Sequence, residues 1–73
     1  MIKFFLTNHA KLRAKMRNVD YTQIESTLEN PDSIKSGRDN TQIAIKTFNG
    51  KRLFVIYEYK DEKYVVITIY FRT

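Results

Sequence analysis

The pair Asn49-Gly50 constrains the fold of this chain more than any other feature of its sequence. Both central positions of a type I′ turn need positive φ, and Asn-Gly is the pair that most readily supplies it. Residues 42–48 and 51–59, on either side of the pair, are dense in β-branched and aromatic side chains, as are residues 63–71. The C-terminal half is therefore predicted to form a three-stranded antiparallel meander.

The N-terminal half predicts one strand and two helices. Residues 2–6 are apolar and aromatic, which suits a short strand, and residues 8–17 are predicted to form the first helix. Asp20 is followed three positions later by a glutamine, the spacing of a capping box that opens a second helix. That helix is expected to end before Asn30-Pro31, because the residue preceding a proline avoids the α region.

The polar residues 32–40 predict an exposed loop between the helices and the meander. With the N-terminal strand joined to the sheet, we expect an α+β fold of order βααβββ, an antiparallel sheet with both helices packed on one face. A chain of 73 residues is expected to form a single domain, residues 1–73, around one small core.

Hydrophobic periodicity predicts which side chains form that core. In the first helix Leu12 and Met16 share one face, and Val19 continues their stripe. In the last strand, alternation places Thr68 and Tyr70 on the face opposite the core. The predicted core residues of this strand are Val65, Ile67, Ile69 and Phe71.

Charge is segregated along the chain, which has a formal net charge of +5. Residues 1–19 contain five lysines and arginines and no acidic residue, a pattern that predicts a polyanion-binding protein, most simply one that binds nucleic acid. A basic surface without a specific partner is the alternative. Without cysteine and with one histidine, the sequence predicts no metal site and no cofactor. The apolar run at residues 1–6 is too short for a signal peptide or a membrane span, which predicts a cytoplasmic protein with no membrane partner.

His9, Arg13 and Arg17 are spaced four apart and therefore lie along one line of the first helix. Arginine matches phosphate oxygens in pairs, and histidine changes its charge near neutral pH, so Arg13 and Arg17 are candidate phosphate ligands and His9 is the candidate acid/base. This is the inventory of a metal-independent ribonuclease, which deprotonates a ribose 2′-OH and protonates the leaving 5′-oxygen. Four further residues complete the site if their sheet face meets the helix. They are Lys46, Thr68, Tyr70 and Arg72, with Lys46 and Arg72 as RNA-binding residues.

Each of these residues also has a simpler interpretation. A histidine in the first turn of a helix is more often a surface or capping residue than a catalyst. The two arginines can pair with glutamates of the second helix, an arrangement of small energetic value. Tyr64 and Tyr70 can be ordinary cross-strand aromatic residues.

The order of these motifs resembles that of small bacterial proteins similar to the BrnT and RelE toxins, within the barnase–EndoU–colicin–RelE group of ribonucleases. The resemblance covers nearly the whole chain and rests on His9-Ala10-x-x-Arg13-x-x-x-Arg17, Val19-Asp20, Asn30-Pro31, Asn49-Gly50 with Leu53-Phe54-Val55-Ile56, and Val65-Val66-Ile67-Thr68-Ile69-Tyr70. It implies a cleft in which the helix residues face Thr68 and Tyr70, cleavage of RNA, and a neutralising antitoxin protein. A non-catalytic RNA- or protein-binding module with the same fold is the alternative, and a small structural or regulatory subunit is a third.

Overall fold

A computed structural model of the protein describes residues 2–73, so Met1, which the predicted domain includes, lies outside the description. Within these residues the fold is α+β, with two helices and one five-stranded sheet, as predicted in outline. The elements follow one another along the chain as β1 (Phe4–Leu6), α1 (Asn8–Met16), α2 (Tyr21–Glu29), β2 (Ser33–Ser36), β3 (Gln42–Phe48), β4 (Lys51–Lys60) and β5 (Lys63–Arg72).

The strands are ordered β1-β5-β4-β3-β2 across the sheet. The predicted meander is confirmed, because β3, β4 and β5 pair antiparallel in sequence order. The prediction of a purely antiparallel sheet is wrong, since β1 pairs with β5 in parallel and the sheet is mixed. Parallel pairing requires a long crossover connection, and both helices and three more strands separate β1 from β5 along the chain.

The segment predicted as a loop contains β2, so the order is βααββββ rather than βααβββ. All four residues of β2 are exposed, and its sequence therefore carries no apolar alternation that could have revealed a strand. Asp32 fixes the start of β2 beside β3: its backbone N–H donates to the Ile45 carbonyl at 2.7 Å, and its Oδ2 accepts from the Thr47 N–H at 2.9 Å.

The two hairpins use tight turns with positive φ. Asn49 has φ 50° and Gly50 has φ 82°, which confirms the predicted type of connection between β3 and β4. In the β4–β5 connection Asp61 and Glu62 have φ of 53° and 60°. This left-handed region is unfavourable for residues that carry a Cβ.

The helices begin at side-chain caps. Thr7 precedes α1, and its Oγ1 accepts the Ala10 N–H at 3.1 Å. The backbone N–H of Asp20, before α2, donates to the Gln23 side chain at 3.0 Å, as expected for the predicted capping box. The helix α2 ends at Glu29, directly before Asn30-Pro31, as predicted.

The core lies between the helices and one face of the sheet, and α1 faces it with alanines. Ala10 and Ala14 are 0% and 4% exposed, whereas Leu12 and Met16 are 55% and 62% exposed. The prediction of a Leu12–Met16 core stripe is therefore wrong. Small side chains let the backbone of α1 approach β5 closely, and the larger residues consequently point outward. Val19 is buried as predicted.

A β-bulge in β5 changes which of its residues face the core. Ile56 pairs with Thr68 and Tyr57 pairs with Val66, so Ile67 is an extra residue without a partner on β4. Val66 and Ile69 are both fully buried although they are three apart. The prediction is thus correct for Ile69 and wrong for Val65 and Ile67, which strict alternation had assigned to the core.

Residues 2–73 contain no helix with both the length and the apolar character needed to cross a bilayer.

Candidate functional site

An open cleft of about 620 Å³ lies where α1 meets the C-terminal half of β5. Because β1 pairs with β5 only as far as Val66, the remainder of β5 forms an edge of the sheet that α1 partly covers. The cleft is lined by Arg13, Arg17, Thr68, Tyr70, Phe71 and Arg72. Five of the seven residues predicted for the site are thus brought together here.

Hydrogen bonds from two side chains hold α1 against this edge. The Oγ1 of Thr7, at the N-terminus of α1, donates to the Ile67 carbonyl at 3.2 Å. The Nη1 of Arg17 donates to the Ile69 carbonyl at 3.4 Å. These carbonyls belong to the part of β5 beyond its pairing with β1, so the two side chains take the place of a neighbouring strand. The second of these hydrogen bonds places the Arg17 guanidinium at the cleft.

His9 lies beside the cleft rather than in its lining. Its side chain is exposed, and its Nε2 accepts a hydrogen bond from the Nε of Arg13 at 3.4 Å. In this contact Nε2 is the hydrogen-bond acceptor, so the imidazole and the Arg13 guanidinium lie side by side on the helix surface. The spacing of four residues corresponds to about 6 Å along the helix axis, so His9 stands one turn from Arg13.

Tyr70 is part of an aromatic stack on the sheet face opposite the helices. Its ring and that of its cross-strand partner Phe54 have centroids 4.9 Å apart and planes inclined by 8°. The guanidinium carbon of Arg72 lies 5.6 Å from the Tyr70 centroid, and that of Arg52 lies 5.7 Å from the Phe54 centroid. Cations over both rings stabilise the stack and hold Arg72 at the mouth of the cleft.

Phe54, Arg52 and Phe71 belong to this region but were not among the predicted site residues. Simple alternation through the Asp61-Glu62 turn would have placed Phe54 opposite Ile69. The bulge moves the pairing by one residue and brings Phe54 opposite Tyr70. Such a bulge has no strong signal in a run of β-branched residues.

Lys46 does not join the cleft. It lies on β3, and its Nζ donates to the backbone carbonyl of Asn30 at 2.8 Å. Asn30 is the C-cap residue of α2, where a cation is favoured by the helix dipole. The structure therefore places Lys46 at the end of α2, apart from the other predicted residues.

The lining of the cleft is strongly cationic, with three arginines and neither aspartate nor glutamate. A second depression of about 420 Å³ adjoins it at Phe71 and Arg72 and is lined also by Lys51 and Thr73. Basic groups thus continue from α1 across the end of β5 to the start of β4. A path of this kind fits a polyanion longer than a single phosphate.

Tyr57 is a perturbed tyrosine that lies outside the cleft. Burial, and to a smaller extent the neighbouring Tyr64, raise the pKa of its phenol above the ordinary value. Its hydroxyl donates to the Oε1 of Gln42 at 3.0 Å, and its side chain belongs to the core. The neutral phenol of Tyr57 is therefore part of the packing on the helix-covered side of the sheet.

Residues 6–71 match the family model described as "Domain of unknown function (DUF4258)". The chain belongs to this family. The DUF4258 match includes His9, Arg13, Arg17, Thr68 and Tyr70, and ends one residue before Arg72. No curated protein and no solved structure gives a significant match to the chain.

Proposed function

We propose that this protein is a toxin-like, metal-independent endoribonuclease that cleaves RNA by acid/base chemistry at the ribose 2′-OH and the adjacent phosphate. The observation that carries the proposal is the composition of the cleft: Arg13, Arg17 and Arg72 line it together with Thr68 and Tyr70, and no carboxylate lines it. Such a set is suited to binding a phosphodiester and to stabilising charge that develops on it.

Binding of the RNA backbone is assigned to the arginines. A guanidinium donates two parallel hydrogen bonds to a phosphate, and two such groups on one helix face form a binding site for it. Arg17 is held by the Ile69 carbonyl and Arg13 by His9, so both are partly ordered before RNA binds. The neighbouring depression with Lys51 offers a place for the next phosphate.

The chemical step is assigned to His9 and Tyr70. With a phosphate between Arg13 and Arg17, the ribose on its 3′-oxygen side lies one helical turn away, near the imidazole. His9 Nε2 takes the proton of the 2′-OH, and the 2′-oxygen forms a bond to phosphorus as the bond from phosphorus to the 5′-oxygen breaks. Tyr70 donates its phenolic proton to the leaving 5′-oxygen, with Thr68 hydrogen-bonding to the phosphate. The products are a 2′,3′-cyclic phosphate and a 5′-hydroxyl.

The biological setting is proposed from the resemblance to BrnT-like and RelE-like toxins. It comprises a cytoplasmic location and a cognate antitoxin protein that neutralises the enzyme. The motifs that carry this resemblance include His9, Arg13 and Arg17 on α1 and Thr68 and Tyr70 on β5.

A non-catalytic RNA-binding module with the same cleft is the second candidate function. It is favoured by the position of His9, which is exposed and outside the cleft lining. In that case the arginines bind RNA, and the histidine serves only to orient Arg13.

Incubation of the purified protein with total RNA in EDTA distinguishes the two functions. The enzyme is expected to produce fragments with 2′,3′-cyclic phosphate ends, and His9→Ala is expected to abolish cleavage while RNA binding persists. His9→Gln is the matched control, because it retains a hydrogen-bonding side chain beside Arg13 but cannot serve as a base at neutral pH. Binding without cleavage by the wild type would support the module, and cleavage that survives both substitutions would remove His9 from the mechanism.

A further inference from the structure

The outward face of α1 carries an apolar pair that the fold leaves uncovered. Leu12 and Met16, one turn apart, are 55% and 62% exposed. Their helix packs on β5 through Ala10 and Ala14, so the pair points away from the core. Single exposed hydrophobic side chains are common on protein surfaces, whereas adjoining ones that form a continuous patch are typical of binding sites.

Basic side chains border this pair on both sides. At 100° per residue, His9 and Arg13 lie along one side of the Leu12–Met16 strip, and Lys11 and Lys15 lie along the other. All the lysines of α1 are exposed, and neither α1 nor the residues before it contain a carboxylate. The outward face of α1 is therefore a strip one side chain wide between two basic margins.

This arrangement selects among possible occupants. A second copy of the same face would bring the basic margins of both together, and like charges oppose that contact. A lipid surface suits a helix with a broad apolar face, whereas cations here limit the apolar strip to a single side chain in width. Nucleic acid would satisfy the cations but would leave Leu12 and Met16 in contact with a polar backbone.

We propose that the outward face of α1 binds an amphipathic helix of a partner protein, whose apolar ridge is flanked by aspartates or glutamates. An apolar ridge on such a helix packs beside Leu12 and Met16 at the usual interaxial distance of about 8–10 Å. Carboxylates on either side of that ridge then reach Lys11 and Lys15 on one margin and Arg13 on the other. The inference rests on exposure and charge, and it stands whether or not the protein cleaves RNA.

The test uses a designed helical peptide with leucines at i, i+4 and i+7 and glutamates on both sides of them. Two control peptides are a scrambled sequence of the same composition and a version with lysine in place of glutamate. Binding is measured by calorimetry with the full chain, and ¹⁵N chemical shifts identify the surface that responds. We expect the acidic amphipathic peptide to bind and to shift resonances of α1, and both control peptides to bind much more weakly.

Substitutions then locate the contact. The double variant L12S/M16S is expected to weaken peptide binding about tenfold or more, because the apolar contribution of both side chains is lost. The matched control I34S/Y59S removes two large side chains that are equally exposed, 52% and 57%, on other elements, and should leave binding unchanged. K11E/K15E should weaken binding and increase its dependence on the peptide's charge.

Three results would overturn the proposal. The peptide fails to bind or shifts resonances elsewhere; L12S/M16S and I34S/Y59S bind it equally well; or L12S/M16S abolishes binding to vesicles rich in anionic lipid while the peptide has no affinity. RNA cleavage by L12S/M16S is measured in parallel and is expected to equal that of the wild type, so that a failure of this proposal is separable from a failure of the proposed function.

Discussion

Replacing the α1 arginines with alanine tests whether the cleft holds an RNA backbone. Each phosphate contact to a single strand contributes about 0.7 to the slope of log affinity against log salt concentration. Arg13→Ala and Arg17→Ala are each expected to lower that slope by about this amount, which corresponds to about fivefold in affinity between 1 M and 0.1 M salt. Lys11→Ala and Lys15→Ala remove the same charge from exposed positions outside the cleft and should change the slope much less.

Arg17 has a second role that the experiment must separate from binding. Its hydrogen bond to the Ile69 carbonyl is long, 3.4 Å, so its loss should cost the fold no more than about 1 kcal/mol. A thermal melt of each variant establishes the temperature at which all proteins are folded, and binding is compared there.

The assay is fluorescence anisotropy with a short 2′-O-methyl oligoribonucleotide, which lacks the 2′-OH and so cannot be cleaved. Titrations at several salt concentrations give the slope for the wild type and the four variants. Equal slopes for all four alanine variants would show that the chain attracts RNA by its net charge alone, and the cleft would have no special part in binding.

Three other predictions concern the sheet and its turns. Tyr70→Phe should leave the melting temperature nearly unchanged but lower RNA cleavage, whereas Ile69→Ala, at a fully buried position, should cost about 2–5 kcal/mol of stability without slowing cleavage per folded molecule; an early melt with normal cleavage for Tyr70→Phe would contradict the assignment. The raised pKa of Tyr57 means that the folded state prefers the neutral phenol, so its contribution to stability is complete below about pH 10 and is lost as the pH rises through the raised value. Urea unfolding below about pH 10 and above the raised pKa should show that the free energy of unfolding falls in the wild type, and that the Tyr57 part of this fall is missing in Tyr57→Phe. Glu62→Gly should raise stability by about 0.5–1 kcal/mol, because glycine accepts φ 60° at no steric cost, and an unchanged or lower urea midpoint would show that the turn is not strained.

The parts of the fold that were predictable are those with strong local signals. Asn49-Gly50 determines the β3–β4 hairpin, and Asn30-Pro31 stops α2, because each pair restricts φ and ψ within a few residues. The strand β2 was missed for the opposite reason. Its residues are exposed on both sides, and it exists through main-chain pairing with β3 and the two hydrogen bonds of Asp32.

The face of α1 was predicted from the wrong kind of side chain. Leucine and methionine are more hydrophobic than alanine, so periodicity alone favours Leu12 and Met16 as the buried pair. The structure buries Ala10 and Ala14 instead, since close approach of α1 to β5 leaves room only for small residues. The line formed by His9, Arg13 and Arg17 still borders the buried face, because it lies between the alanines and the exposed apolar pair.

The candidate cleft depends on the bulge residue Ile67, which periodicity had assigned to the core. With strict alternation, Val66, Thr68 and Tyr70 would share a face, and burial of Val66 against the helices would take the Tyr70 hydroxyl into the core. The unpaired Ile67 separates the two halves of β5, so that Val66 and Ile69 are both buried while Thr68 and Tyr70 line the cleft. Thr68 and Tyr70 line the cleft with the α1 arginines, as predicted, because both residues lie on the C-terminal side of the bulge. Removing the bulge would exchange Tyr70 and Ile69 between the cleft and the core, so one inserted residue gives β5 both a closed apolar face and a cationic, hydroxyl-bearing edge.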